Sequence, residues 1–416
     1  MATENRIEET HREPHQKIPH KRVIVIGGGI SGLSFAKKYL NANPDLFQEL
    51  LLLEKEDRTG GVIETICHND LIIELGTHTM YRSYTESYAL LSADFRKNSY
   101  FPCPKFRYFV DAEGNKTPFW RRFSIFGLFS LPNILFMKRE GQTLSAYFTG
   151  IFGKKNYQNL FNPAFDALYC QPSQDYPLSL LFKKRDRHKL RHLPKSFFFR
   201  GGMNAVVQDI GTQIDCRLNQ KIQSVRYENG RYWLYTGENS TLPAYSSDIL
   251  AIATEVTEAM RLLSGLNLQN LQNRLPDISM TRFSSLSLLL RGQKLSSDSG
   301  LVGWKNALFS VVFARGLPED ISEYHGLTCH YRDFDITEEK AINIASKLLK
   351  FDPQSIVSSH QKRNQLPAMR VRHLAEIQSV SEALPSTLAL LGNYFGGFSI
   401  EDCIQRSGQE FQRIFG

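Results

Sequence analysis

The sequence predicts an α/β protein: a parallel sheet flanked by helices, drawn from separated stretches of chain, with an α+β domain inserted between them. Three observations carry this. An apolar run, Val23 to Ile26, enters a G-x-G-x-x-G turn (Gly27, Gly29, Gly32), followed by a helical stretch over residues 30 to about 40. A second apolar run, Leu50 to Leu53, ends in Glu54. At the far end, residues 388–408 read as strand, glycine-rich turn and helix. With 416 residues, 42% hydrophobic and 22% charged, the chain has ample material for a large core shared by two interleaved domains.

The first two runs make a Rossmann-like strand–turn–helix–strand unit that binds a dinucleotide. Gly27 allows the tight turn, Gly29 lets a pyrophosphate approach the backbone, and Gly32 lets the helix pack on the sheet. Ile30 and Ser31 open the helix, whose free N–H groups and positive dipole end face the phosphates. Glu54 stands where a carboxylate accepts hydrogen bonds from ribose hydroxyls, with Lys55 beside it. A second glycine pair, Gly60 and Gly61, follows Arg58 and precedes Val62. A nicotinamide domain has no need of it. Backbone lying flat against a second large group suits an extended FAD, with Arg58 toward a phosphate or the adenine.

The string formed by Glu54, Arg58, Gly60, Gly61 and Thr65, E-x-x-x-R-x-G-G-x-x-x-T, resembles the flavin-containing amine oxidase superfamily. That superfamily includes protoporphyrinogen oxidases, monoamine oxidases and the phytoene and squalene desaturases. Gly392, Asn393, Gly397, Ile400, Asp402, Cys403 and Ile404 resemble the protoporphyrinogen oxidase pattern G-N-x-x-x-G-x-x-I-x-D-C-I. Gly201-Gly202-Met203 resembles the element that returns the chain to the cofactor domain. Leu366 and Pro367 with His373 resemble the family's L-P-x-x-x-x-G-H stretch, Arg372 replacing the usual Gly.

The resemblance implies an FAD-binding domain of residues 21–80, 200–256 and 375–416, and a substrate domain of residues 81–199 and 257–374. It implies FAD as cofactor, with Gly76, Thr77, Val225, Gly392, Asn393, Gly397 and Ile400 joining the contacts already named. It implies hydride transfer from a small-molecule substrate to the flavin, protoporphyrinogen first, an amine or polyene lipid as the alternative. Arg107 falls where the family places a carboxylate-contacting arginine. One departure stands out: Glu74-Leu75-Gly76-Thr77-His78 replaces the family's Glu-x-Gly-Pro. That puts His78 near the flavin, and a Gly-x-His here is also reminiscent of UDP-galactopyranose mutases, a redox-neutral alternative. His78 and His373 are the histidines to test for a catalytic role.

Elsewhere, Asn229-Gly230 and Glu113-Gly114-Asn115 mark hairpins. Residues 248–254 read as a buried strand, and residues 142–170 as helical with a break at Asn162-Pro163. The net charge of +8 and pI of about 9.0 come with no nucleic-acid recognition motif, so an anionic lipid or polycarboxylate substrate fits better. Lys183, Lys184, Arg185, Arg187, Lys189 and Arg191 form a basic run that is either a solvated loop or a patch facing anions.

Six scattered cysteines without a C-x-x-C pair suit free thiols in a reducing, cytoplasmic setting. Cys403 at a helix start is a position where a thiol pKa can fall. No H-E-x-x-H and no close His/Cys cluster occurs, so no metal is expected. Residues 1–20 are polar, lack a signal-peptide core and read as a disordered tail. Residues 123–137 are uncharged and largely apolar between Arg121-Arg122 and Lys138-Arg139, too short to span a bilayer. Residues 120–139 are thus either a peripheral anchor on the inner face of the membrane or a buried part of the substrate domain. The oligomeric state is not legible in the sequence.

Overall fold

The computed structural model describes residues 21–68, 71–97, 100–103, 105–186, 189–237, 240–266, 268, 278–293, 295, 300–315 and 323–416. The expected N-terminal tail and Arg187 lie outside the described residues.

Val23–Ile26 is the centre of a five-stranded parallel sheet. Leu50–Leu53 and then Cys216–Arg217 lie on one side of it, Ile249–Ile252 and Leu388–Leu390 on the other. Three widely separated stretches of chain thus supply one sheet. Its central strands are apolar throughout because both faces are covered. Val23, Val25, Leu50, Leu52, Ile249 and Ala251 pack against helices Ile30–Ala42, Gly202–Gly211 and Ile400–Phe415. The alternate residues, Ile24, Ile26, Leu51, Leu53, Leu250 and Ile252, pack against helices Val256–Ser264 and Val371–Glu382 and a three-stranded antiparallel sheet.

That small sheet contains the hairpin of Ser224–Glu228 with Arg231–Tyr235. Asn229 and Gly230 both have positive φ, 53° and 78°, as a tight hairpin turn requires.

The second large sheet has seven strands, in the order Ile356–Pro367, Met280–Arg291, Tyr324–Tyr331, Leu308–Phe313, Gly300–Gly303, Tyr108–Val110 and Lys116–Pro118. The last two form the hairpin expected around Gly114. Helix Glu338–Leu349 covers one face through Ala341, Ala345 and Leu348.

Two expectations need correction. The helical stretch over 142–170 is interrupted at a second place besides the expected Asn162-Pro163. It kinks at Gly153, whose φ is +77°, and runs through a π-turn at Tyr157–Phe161 into Asn162–Tyr169. Pro163 sits in the first turn of that last helix, where its missing N–H costs nothing. The basic run is not simply a solvated loop: Lys183 and Arg185 reach Asp402 at 2.5 and 2.9 Å.

The segment over residues 120–139 is not core. Its 3-10 turns, Ile125–Leu135, lie on helix Leu144–Asn156. Asn156 brackets the Ser124 backbone, accepting from its N–H at 2.6 Å and donating to its carbonyl at 2.8 Å. Asn133 donates to the Gly150 carbonyl. The backbone is pinned against the small Gly150 and Gly153, and large side chains face outward: Phe129 is 85% exposed, Phe136 83% and Leu135 81%. Among the described residues no helix is long and apolar enough to cross a membrane.

Candidate dinucleotide site

A cavity of about 660 Å³ opens over the C-terminal ends of the parallel strands. It is lined by Gly27, Gly29, Ile30 and Ser31 from the first turn, Glu54, Lys55, Arg58, Gly60, Gly61 and Val62 from the second, and Gly392, Asn393 and Ile400 from the C-terminal motif. Thr77 lines it too. Ligands in open α/β sheets bind in this place because helix N-termini and strand carboxyl ends converge there.

The glycines divide by role. Gly27 has φ +108°, and a Cβ on it would lie 2.5 Å from the Ala253 carbonyl oxygen, so this position is glycine for the fold. A Cβ on Gly32 would press into the Gly27 carbonyl and lie 3.2 Å from the Ala253 side chain, which is the close packing expected of it. Gly29 is different. Its φ of −74° suits any residue, and nothing lies within 4 Å of where its Cβ would be. It caps helix Ile30–Ala42 without a side chain, and the helix N-terminus opens onto the cavity. The space is a cradle for a group held by backbone N–H, as a pyrophosphate is.

The two turns form one unit. Gly60 N–H donates to the Gly28 carbonyl at 2.8 Å, and Gly61 is set so that its Cβ would lie 3.4 Å from the Gly29 Cα. Arg58 staples the second turn: its guanidinium donates to the carbonyls of Thr59, Gly61 and Ile63 and pairs with Glu64 at 3.0 Å. Arg58 also lines the cavity, so this shaping role comes in addition to the expected reach toward a phosphate. Glu54 accepts from Gly28 N–H at 2.6 Å and Glu56 N–H at 2.9 Å, leaving acceptor capacity for ribose hydroxyls.

The C-terminal motif arrives through helix Ile400–Phe415. Ser399 and Asp402 form a reciprocal capping box. Lys183 and Arg185 balance the carboxylate of Asp402, while Glu401 accepts from the Glu86 and Ser87 backbone and the Ser87 hydroxyl. Burial pushes the Cys403 thiol up to about 12, so its place at a helix start does not activate it.

Several expected contacts lie elsewhere. Val225 is buried in the small sheet; three residues earlier, Ile222 lines the cavity instead. Gly76 packs under Val62, and Gly397 faces Asp402 and Lys183, so both shape the walls rather than line them. Arg107 is exposed on the chain before Tyr108–Val110, away from the cavity. His373 is buried and donates from Nε2 to the Tyr394 carbonyl at 2.6 Å, a structural bond that burial keeps neutral by lowering its pKa. His78 stands one residue beyond the lining Thr77, and burial with the Arg315 charge lowers its pKa to about 3. It is neutral at any physiological pH. Among the described residues no three His, Cys, Asp or Glu side chains gather as metal ligands.

Sequence reasoning missed strand Ile356–Pro367, which brings His360, Lys362, Arg363 and Asn364 to the cavity. Lys362 reaches Glu64 at 2.6 Å and His360 lies 3.6 Å from it, so Glu64 ties the second glycine turn to the seven-stranded sheet. The run is polar without a break from Ser358 to Gln365, so its sequence carries no strand signal.

The NAD(P)-binding Rossmann-like domain family matches residues 25–93. Among solved structures, a protein from Exiguobacterium sp. 255-15 assigned as a protoporphyrinogen oxidase superposes with a TM-score of 0.73 at 17% identity, covering 96% of this chain and 99% of its own. A fatty acid isomerase from P. acnes that produces CLA gives 0.71 at 14%, covering 96% and 100%. The cyclohexylamine oxidase of Brevibacterium oxydans gives 0.64 at 15%, covering 95% and 99%. The chain therefore shares, over nearly its whole length, the α/β fold of these structures.

Proposed function

We propose that this protein is an FAD-dependent oxidoreductase that takes hydride from a small, largely apolar substrate, with protoporphyrinogen the first to test. The observation that carries the reading is the Gly29 cradle. It is open where a Cβ would stand, backed by Gly60 and Gly61, and joined in one cavity to Gly392 and Asn393. Bound FAD would supply the hydride-accepting chemistry. The chain's own work is positional. Gly29 and the helix N-terminus hold the pyrophosphate, Glu54 the ribose, and Arg58 the shape of the second turn. The capped start of Ile400–Phe415 turns its dipole toward the cavity with its carboxylates already balanced.

The C-terminal G-N…D-C-I motif favours the porphyrinogen reaction. Gly76-Thr77-His78 favours a second reading, redox-neutral chemistry of the UDP-galactopyranose mutase kind with His78 as a neutral hydrogen-bonding group, and an isomerisation is also what the P. acnes neighbour is named for. The exposed apolar face of Ile125–Leu135, with Arg121, Lys138 and Arg139 near it in sequence and Lys154 and Lys155 in the last turn of the helix it lies on, supports peripheral attachment to an anionic bilayer, on its cytoplasmic face.

Acid precipitation of purified protein should release a yellow flavin. Porphyrinogen, amines, polyenes and unsaturated fatty acids should then be supplied in parallel, with oxygen and quinone as acceptors. Faster porphyrin fluorescence than the no-enzyme control supports the first reading; isomerised fatty acid without net oxidation supports the second. A colourless protein would sink both.

A further inference from the structure

Arg315 follows strand Leu308–Phe313 and exchanges backbone hydrogen bonds with Ile72 at 2.6 and 2.9 Å. Its side chain is only 9% exposed, yet it has no carboxylate partner within 4.0 Å among the described residues. Nη1 donates to the His78 carbonyl and lies 3.0 Å from Cys103 Sγ. Nη2 lies 3.3 Å from Thr79 Oγ1 and 3.4 Å from His78 Nδ1. Nε is buried and unpartnered. Glu74, the carboxylate whose field it feels, uses its oxygens for the Thr65 hydroxyl and the Met203 N–H.

A buried guanidinium whose direct hydrogen-bond partners are all neutral has only the field of Glu74 to offset it, and lacks the contacting anion that burial of a charge calls for. The groups around it are those of a binding nook. Phe198 lies under the guanidinium at 5.1 Å, and Phe106 stacks on His78 at 6.2 Å. Tyr81, 40% exposed, stands on the outer side. The nook adjoins the cofactor cavity by two routes. Thr77, next to His78 in the chain, lines that cavity. So does Asn364, which donates to Ser285 Oγ, itself 2.8 Å from His330 Nδ1. Burial holds His330 neutral by lowering its pKa to about 4, so Arg315 is the single fixed positive charge that the described side chains bring to the nook.

We infer that Arg315 is the receptor for one anionic group of the substrate, a carboxylate or phosphate, held beside His78 and Thr79 so that the apolar remainder extends past Thr77 and Asn364 toward the cofactor. The assignment rests on the oxidoreductase reading only in calling the ligand a substrate. It moves the cationic subsite from the exposed Arg107 to a residue with no sequence motif around it.

The test is isothermal calorimetry on the protein as purified, with decanoate, decyl phosphate and decanol as probes. Wild type should bind at least one of the anions more tightly than the alcohol, the preferred one identifying the group. Arg315→Gln should weaken that anion about ten-fold or more, the scale of a charge-assisted hydrogen bond, and leave decanol unchanged. Arg315→Lys should recover part of the loss. Equal affinity of wild type for all three probes overturns the assignment, as does undiminished anion binding by a folded Arg315→Gln. If the Gln variant melts below the assay temperature, the wild-type ratio and the Lys variant decide. Flavin content, read by absorbance on the same samples, reports separately on the cofactor.

Discussion

Gly27 and Gly29 stand two residues apart and do opposite things. Gly27 carries a positive φ and a blocked Cβ position, so Gly27→Ala should destabilise the whole protein by about 1–3 kcal/mol, the range for a strained backbone position, seen as a lower Tm. Gly29→Val should leave Tm of the flavin-free protein unchanged and abolish flavin binding, because its side chain fills space that is otherwise open. A Gly29→Val protein that keeps a full complement of flavin would place the cofactor elsewhere. Glu54→Ala should weaken FAD by roughly 1–3 kcal/mol, and it also strips the acceptor from Gly28 and Glu56 N–H, so Tm should fall even without flavin.

Glu74 gives a pH signature. Burial raises its pKa to about 7, against the partial relief of its bonds to Thr65 and Met203. A carboxyl whose folded pKa is raised stabilises most below its unfolded value, and that contribution is lost as pH rises through the folded one. Glu74→Gln keeps an acceptor for Met203 and removes the titration. The Tm of the variant relative to wild type should therefore rise between about pH 4.5 and 7 and then level off. A difference that stays flat across that window would mean that Glu74 titrates normally.

At the scale of elements, the 3-10 segment Ile125–Leu135 is held by its backbone and by Asn156, and its exposed rings contribute little to its own packing. Phe126→Asp with Phe129→Asp should therefore fold and keep flavin, while losing the flotation with anionic liposomes expected of wild type. Wild type that stays at the bottom of the gradient would remove the membrane reading. The C-terminal helix depends on a buried charge cluster instead. Asp402→Ala leaves Lys183 and Arg185 with only the neutral Gly396 carbonyl and Ser399 hydroxyl as partners and breaks the capping box, so a loss of about 3–5 kcal/mol is expected in chemical denaturation.

Across the whole molecule, cofactor and fold are coupled. The cavity draws walls from residues 26–77, from residues 220–222 and 253–258, from strand Ile356–Pro367 with its neighbour Met280, and from the C-terminal motif. A ligand that bridges all four stabilises the native state by mass action, about 2.7 kcal/mol at a hundredfold excess over Kd. FAD should raise the Tm of flavin-free protein in a concentration-dependent way, and NAD should not. An equal shift with both would return the site to a generic dinucleotide cleft.

The sequence by itself determined the local parts. The strand Val23–Ile26, the turn after it, the helix from Ile30, the run ending at Glu54, the Asn229-Gly230 hairpin and the C-terminal strand–turn–helix all follow from contacts within a few residues, where glycine φ, helix ends and apolar runs act directly. Only the tertiary structure decided which residues meet. Arg58 turned inward because its carbonyl partners fold back beneath it, and Ile222 took the wall position expected of Val225. Lys183 and Arg185 found a carboxylate more than two hundred residues away. Arg315 became a buried cation because four unrelated stretches, carrying His78, Cys103, Phe198 and its own strand, close around it. Charge and burial at such places depend on long-range packing, and no spacing along the chain records it.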